Sequence, residues 1–95
     1  MSYVRVVRFT DVDPERVDTL VSRIEEADGP PEGIPTTGVQ MVHDPEQRTA
    51  VVVQFYDSME DLRAGAAAFE AMPSSDTPGT RASVDSGEIK VELRV

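Results

Sequence analysis

The order in which strand-like and helix-like patterns follow one another restricts the fold of this chain more than any other feature. Runs rich in β-branched residues predict strands, and apolar residues spaced three and four apart predict helices. The predicted elements are a strand at 3–9, a helix from 13, strands at 38–43 and 48–56, a helix at 58–72 and a last β region at 81–95. This series within 95 residues predicts one α+β domain.

Both predicted helices have residues that favour their ends. Asp13 can accept hydrogen bonds from free backbone N–H groups, and Pro14 fits the first helical turn. The apolar residues that follow predict one stripe facing a sheet: Val17, Leu20, Val21, Ile24 and Ala27. Asp57 or Ser58 is expected to cap the second helix, and Pro73 is expected to stop it.

The β regions are joined and interrupted by residues typical of turns and bulges. The sequence Asp44-Pro45-Glu46-Gln47 suits a type I turn, which predicts a hairpin. In the last β region the alternation slips, and Ser86-Gly87 is the expected position of a bulge or kink. Beyond it, alternating apolar residues predict that the strand continues: Ile89, Val91, Leu93 and Val95.

Composition excludes several classes of partner. Eighteen acidic residues against 9 basic ones give a formal charge of −9, which repels phosphate backbones and anionic lipid headgroups. We therefore predict no nucleic-acid partner and no membrane partner. The chain has no cysteine, which removes disulfides, thiolate nucleophiles and thiolate metal ligands. No long apolar run occurs at the N-terminus or after it, so the protein is expected in the cytoplasm.

Several local sequences add to the element order. They are Asp13-Pro14-Glu15 at the start of the first helix, His43-Asp44-Pro45-Glu46 in the hairpin, Phe55-Tyr56-Asp57-Ser58 before the second helix, and the kinked strand from Arg81. Taken together, the chain resembles the dimeric α/β-barrel superfamily, in particular small antibiotic-biosynthesis-monooxygenase-like proteins. The resemblance covers nearly the whole chain, but none of these features is specific to one reaction.

The resemblance implies a ferredoxin-like α+β fold, in which a four-stranded antiparallel sheet carries two helices on one face. Two domains would pack sheet to sheet as a homodimer, the dimeric α/β barrel. In that superfamily a pocket between sheet and helices holds a small aromatic substrate, oxidised by O₂ without metal or flavin, or a haem. The haem-degrading branch carries an Asn-Trp pair and a ligating His on the second helix, whereas this chain has no Trp and no His at 62–72. No cofactor and no metal are therefore expected.

Three residues are candidates for catalysing such an oxidation of an aromatic or quinol-like molecule. His43 is the only histidine, and its imidazole is suited to removing a phenolic proton near neutral pH. Tyr56 or Arg5 could polarise the developing oxyanion. Each also has a structural interpretation. His43 can bond to the hairpin turn, Tyr56 can cover an edge of the core, and Arg5 in a central strand needs an acidic partner or an anionic ligand.

Four apolar residues are candidates for lining an aromatic-binding pocket, although the same spacing is more often that of a core: Met41, Phe55, Phe69 and Met72. Gln40 and Gln54 have the opposite strand phase from Met41 and Phe55. They are predicted on the second face of the sheet, where another subunit would dock.

The alternative to an oxygenase is a non-catalytic domain that binds a small ligand or serves assembly. Regulatory ACT domains share this element order, and residues 11–15 resemble the turn after their first strand. Glu15, however, stands where their ligand-approaching glycine would be. An RNA-binding domain of this fold would need exposed aromatics and a basic face, and a metal chaperone would need a Cys-x-x-Cys pair. The sequence excludes both.

Overall fold

A computed structural model describes residues 2–27, 33–71 and 77–94. These residues form six elements in the predicted order: β1 (Tyr3–Thr10), α1 (Pro14–Ala27), β2 (Gly38–Asp44), β3 (Thr49–Tyr56), α2 (Met59–Glu70) and β4 (Thr80–Glu88). The four strands form one sheet in the order β2-β3-β1-β4, and each neighbouring pair is antiparallel. The ferredoxin-like fold is confirmed.

Strand register determines which residues face the helices. In the β1–β3 pair, Val7 lies opposite Val52 and Phe9 lies opposite Ala50. Val7, Phe9 and Ala50 are buried in one cluster with Val17 of α1. Odd-numbered residues of β1 and even-numbered residues of β3 therefore point to the helices, because side chains alternate between the faces of a strand.

Helix α1 is anchored to the sheet only near its first turns. Asp13 accepts a hydrogen bond from the backbone N–H of Glu15 at 2.9 Å, as expected for the cap of this helix. Val17 is buried, but Val21 is 38% exposed and Ile24 is 51% exposed. The prediction that the whole apolar stripe packs against the sheet is therefore wrong for the second half of the helix, because the sheet meets the stripe only near Val17.

Helix α2 packs directly on the sheet. Its N-cap is Ser58, whose hydroxyl accepts a hydrogen bond from the N–H of Asp61 at 3.1 Å, so Ser58 rather than Asp57 fills this position. Leu62 and Gly65 are its buried residues. A side chain at Gly65 would place its Cβ 2.6 Å from Cζ of Tyr56, so glycine is needed for this close approach. The predicted stop at Pro73 lies outside the described residues.

The last β region is shorter than predicted, and its irregularity lies elsewhere. The register between β1 and β4 shifts between Arg8 and Phe9, opposite Ala82, and not at Ser86-Gly87. Strand β4 ends at Glu88, which pairs with Tyr3 at the start of β1. Residues 89–94 are not a strand because the ladder partner ends there, after one last hydrogen bond from Ile89 N–H to the carbonyl of Ser2 at 2.9 Å.

The second face of the sheet carries no described helix. It includes Arg8, Gln40 and Asp85 as well as an apolar patch. The patch consists of the apolar residues in the other phase of β1, β2 and β3: Val4, Val6, Val42, Val51, Val53 and Phe55. Val42 is 58% exposed, and the remaining members of this set are partly buried. Among the helices in the described ranges, none is long and apolar enough to cross a membrane.

Candidate functional site

A hydrogen-bonded group of three polar side chains lies on the helix-facing side of β1 and β3. Arg5 and Gln54 are cross-strand partners, and they are 3% and 2% exposed. Oε1 of Gln54 accepts a hydrogen bond from Nη1 of Arg5 and another from the hydroxyl of Tyr56, both at 3.2 Å. We call Arg5, Gln54 and Tyr56 the polar cluster. It places a guanidinium and a phenol within one hydrogen-bond network in the interior.

Helix α2 covers the charged end of the polar cluster. Oε1 of Glu70 accepts a hydrogen bond from Nη2 of Arg5 at 3.1 Å, and Arg81 of β4 pairs with the same oxygen. The ring centroid of Phe69 lies 5.9 Å from Cζ of Arg5, within the range of a cation–π interaction. Arg5 therefore has the acidic partner expected of a charge in a central strand, and that partner comes from a helix.

Burial and a nearby charge shift the pKa of Tyr56 in opposite directions. The side chain is completely buried, and this burial raises the pKa of its phenol. The guanidinium of Arg5 opposes the rise but does not cancel it. Tyr56 is therefore neutral near pH 7, and its single hydroxyl hydrogen is donated to Gln54.

His43 lies on the same face of the sheet as the polar cluster but at a different position. It pairs with Ala50, four residues along β3 from Gln54, and a strand rises about 3.3 Å per residue. His43 is therefore separated from the polar cluster by about 13 Å. Its Nε2 atom is buried and has no hydrogen-bond partner within the described part of the chain. The structure brings Arg5 and Tyr56 together and does not bring His43 to them.

The four predicted pocket residues do not line one space. Met41 pairs with Val52 and packs against the buried core on the helix side. Phe55 points to the opposite face, where it lines a shallow depression with Gly38 and the segment after β4. Phe69 lies beside Arg5, as described above. Met72 lies outside the described residues.

An open apolar region adjoins the polar cluster on its β2 side. Val39 pairs with Gln54, so the two residues share the helix-facing side of the sheet, yet Val39 is 41% exposed. Val21 and Ile24 of α1 are also exposed. We call Val39, Val21 and Ile24 the exposed apolar residues. Among them, Val39 offers an apolar surface next to buried hydrogen-bonding groups, a combination that is typical of small-molecule sites.

Gln54 and Glu70, which both bond to Arg5, were not predicted as site residues. Gln54 was predicted on the second face, but the hairpin pairs Asp44 with Thr49, so odd residues of β2 lie opposite even residues of β3. Gln54 therefore faces the helices, while Gln40 faces away from them. Glu70 follows the apolar line of α2 and has no sequence signal of its own, although a buried Arg5 does call for an acidic partner.

Comparisons with known proteins place the fold. The chain matches no family model and no curated protein sequence. Among solved structures, it is similar to a proposed antibiotic biosynthesis monooxygenase of Chloroflexus aurantiacus, with 13% identity and a TM-score of 0.58 over 100% of this chain and 98% of that one. The chain has the fold of antibiotic-biosynthesis-monooxygenase-like proteins.

Two further structures extend this similarity. A proposed monooxygenase of the same kind from Deinococcus radiodurans has 10% identity and a TM-score of 0.54, over 100% of this chain and 98% of that one. The haem-degrading protein MhuD of Mycobacterium tuberculosis, with two haems bound in its active site, has 20% identity and a TM-score of 0.60. That match covers 96% of this chain and 99% of MhuD. At these identities the similarity concerns the fold.

The residues of this chain do not fit a haem between the sheet and α2. Tyr56 is completely buried and Gly65 lies against its ring, so the helix contacts the sheet there and leaves no space for a macrocycle between them. Helix α2 contains no His, Cys or Tyr, and His43 is on β2. Within the described ranges, no group of three or more His, Cys, Asp or Glu residues could hold a metal ion.

Proposed function

We propose that this protein is a cofactor-independent monooxygenase that acts on a small aromatic or quinol-like molecule. The observation that carries the proposal is the buried polar cluster beside the exposed side chain of Val39. The aromatic body of the substrate would lie on Val39 and Met41, with its oxygen directed toward Gln54 and Arg5. The fold shared with proposed monooxygenases supports this assignment.

The chemistry requires an electron-rich anion of the substrate. Loss of a proton gives a phenolate or enolate, which Arg5 would stabilise electrostatically, while the hydrogen bond from Tyr56 holds Gln54 in place beside it. This anion reduces O₂ directly. A ring CH₂ group becomes C=O, one oxygen atom enters the product, and the other leaves as water with the two substrate hydrogens. The four electrons that O₂ accepts all come from the substrate, so no external reductant is consumed.

Oxygen uptake with an anthrone-type or quinol-type probe tests the proposal. Replacing Arg5 with Lys keeps one positive charge but removes the planar fork of donors, so we expect kcat/KM to fall by about tenfold or more. Arg94→Lys is the matched control, because Arg94 is 90% exposed and pairs with Glu92. Unchanged uptake in both variants would contradict the role of Arg5.

The base that removes the substrate proton is a separate question, and His43 stays the predicted candidate. His43→Ala, with its fold verified by circular dichroism, reports on it in the same assay. Complete loss of uptake in this variant, with full uptake in Arg5→Lys, would indicate that the reacting hydroxyl of the substrate binds at the hairpin end of the sheet. The absence of uptake in every form, with measurable ligand binding, would favour the alternative of a non-catalytic binding domain.

We also propose that two copies associate through the apolar patch on the second face of the sheet. Val53 is central on this face, between Val6 of β1 and Gln40 of β2. A lysine at position 53 would bury a charge in the interface, so we expect Val53→Lys to weaken dimerisation by about a hundredfold or more. Gln47→Lys adds the same charge at the exposed hairpin turn and should leave the dimer intact.

Light scattering coupled to size-exclusion chromatography measures this effect over a range of concentrations. Wild-type protein that is monomeric at high concentration, or a Val53→Lys variant as dimeric as Gln47→Lys, would contradict the sheet-to-sheet dimer.

A further inference from the structure

The carboxylate of Glu70 occupies the space between two guanidinium groups at the end of α2. Its Oε1 atom accepts hydrogen bonds from Arg5 and Arg81 at the same time. The side chain of Arg5 is 4% exposed, whereas that of Glu70 is 49% exposed. The cation is therefore held in the interior, and its acidic partner stands at the solvent boundary, where it is able to move.

The negative charge of Glu70 is unfavourable for the helix that carries it. It is the last residue of α2, where the helix dipole disfavours a negative charge, and the last turn contains no basic residue. The hydrogen bond from Arg81, together with the charges of Arg81 and Arg5, lowers the pKa of the Glu70 carboxyl. Glu70 is therefore held in place as an anion by the two arginines and not by its own helix.

The pairing leaves part of Arg5 unused. Glu70 offers it a single oxygen, whereas a guanidinium can bind two carboxylate oxygens side by side. The orientation of Arg5 is set by its hydrogen bond to Gln54 and by the ring of Phe69. A ligand carrying an anionic group would meet a cation that is already oriented and already bound to a carboxylate.

We infer that Glu70 is an internal competitor for the ligand, and that the ligand carries a carboxylate or another ionised oxygen group that replaces Glu70 on Arg5. The inference rests on the proposed function, because it names the ligand class of the same site. Arg81 is 47% exposed and retains Glu70 after displacement, so the released carboxylate keeps a partner. The net charge of −9 disfavours anion binding in general, and Glu70 restricts it further to ligands that bind well enough to displace a carboxylate.

Isothermal titration calorimetry at pH 7 with 2-naphthoate and its neutral isostere 2-naphthamide tests the inference. Wild-type protein should bind the naphthoate more tightly than the amide. Glu70→Gln should strengthen naphthoate binding by about tenfold, since one charged competitor for Arg5 is removed. The same substitution should leave the affinity for naphthamide unchanged.

Glu92→Gln is the matched control, because it removes the same charge from a carboxylate that is exposed and paired with Arg94. We expect it to change naphthoate affinity by less than about twofold. Arg5→Gln should abolish the preference for the anion. If Arg5→Gln fails to fold, the comparison of Glu70→Gln with Glu92→Gln decides the question alone.

Equal effects of Glu70→Gln and Glu92→Gln, equal strengthening of both ligands, or no binding of naphthoate by any variant would each overturn the inference. Oxygen uptake tests the proposed function separately. Oxygen uptake without a specific effect of Glu70→Gln would support the oxygenase function and contradict the role of Glu70 as a competitor. Tighter naphthoate binding by Glu70→Gln in a protein without oxygen uptake would support the role of Glu70 and contradict the oxygenase function.

Discussion

Replacing Gln54 with Leu should lower the free energy of unfolding by about 2–4 kcal/mol. Oε1 of Gln54 accepts hydrogen bonds from two buried donors, Nη1 of Arg5 and the hydroxyl of Tyr56. Leucine has a similar size and no acceptor, so both donors would remain in the interior without this partner. The loss should appear in urea-induced unfolding followed by circular dichroism.

Two other substitutions separate this effect from a general change in packing. Gln47→Leu removes an exposed amide from the hairpin turn and should change stability by no more than about 0.5 kcal/mol. Gln54→Glu keeps an acceptor and adds a charge beside Arg5, so it should destabilise less than leucine does. Similar losses for Gln54→Leu and Gln47→Leu would show that the polar cluster contributes nothing specific to stability.

The second large effect is expected from Gly65→Ala in α2. In an exposed helix this change stabilises by about 1 kcal/mol, but here the added Cβ would stand 2.6 Å from Cζ of Tyr56. The ring cannot move away easily, because it is completely buried and hydrogen-bonded to Gln54. We therefore expect a net loss of about 1–3 kcal/mol in the free energy of unfolding.

Ala67→Gly is the matched control for Gly65→Ala, because position 67 is an exposed site of the same helix. It should cost about 1 kcal/mol through helix propensity alone. The double variant Gly65→Ala with Tyr56→Leu should lose less stability than the two single losses added together, since the clashing ring is gone. A gain in stability from Gly65→Ala alone would mean that α2 does not approach the sheet as closely as described.

The fold was predictable because its signals are local. Asp13 and Ser58 at the helix starts, and the proline-containing turn at 44–47, each act over a few residues, and the element order follows from them. The length of β4 is different, because it depends on how far its pairing partner extends. The alternation at 89–94 is as regular as in a true strand, but β1 begins at Tyr3 and offers no further partner.

The site was less predictable, because it depends on long-range register and on one helix end. The acidic partner of Arg5 was expected from the cost of burying a charge, and the structure supplies Glu70. Gln54 faces the helices because Asp44 pairs with Thr49. The alternation of residues along each strand did not reveal this pairing. The same register places His43 beside Ala50 and far from Arg5, a separation that no local pattern contains.

Helix α1 illustrates how unevenly stability is distributed in this small protein. Its first turns are anchored by the Asp13 cap and by Val17, whereas Val21 and Ile24 contribute little buried area to hold its second half. The second half should therefore open at a lower free energy than the sheet, and its amide hydrogens should exchange with solvent sooner. Any molecule that covers Val21 and Ile24 would have to order this half of the helix, and the entropy lost would be subtracted from its affinity.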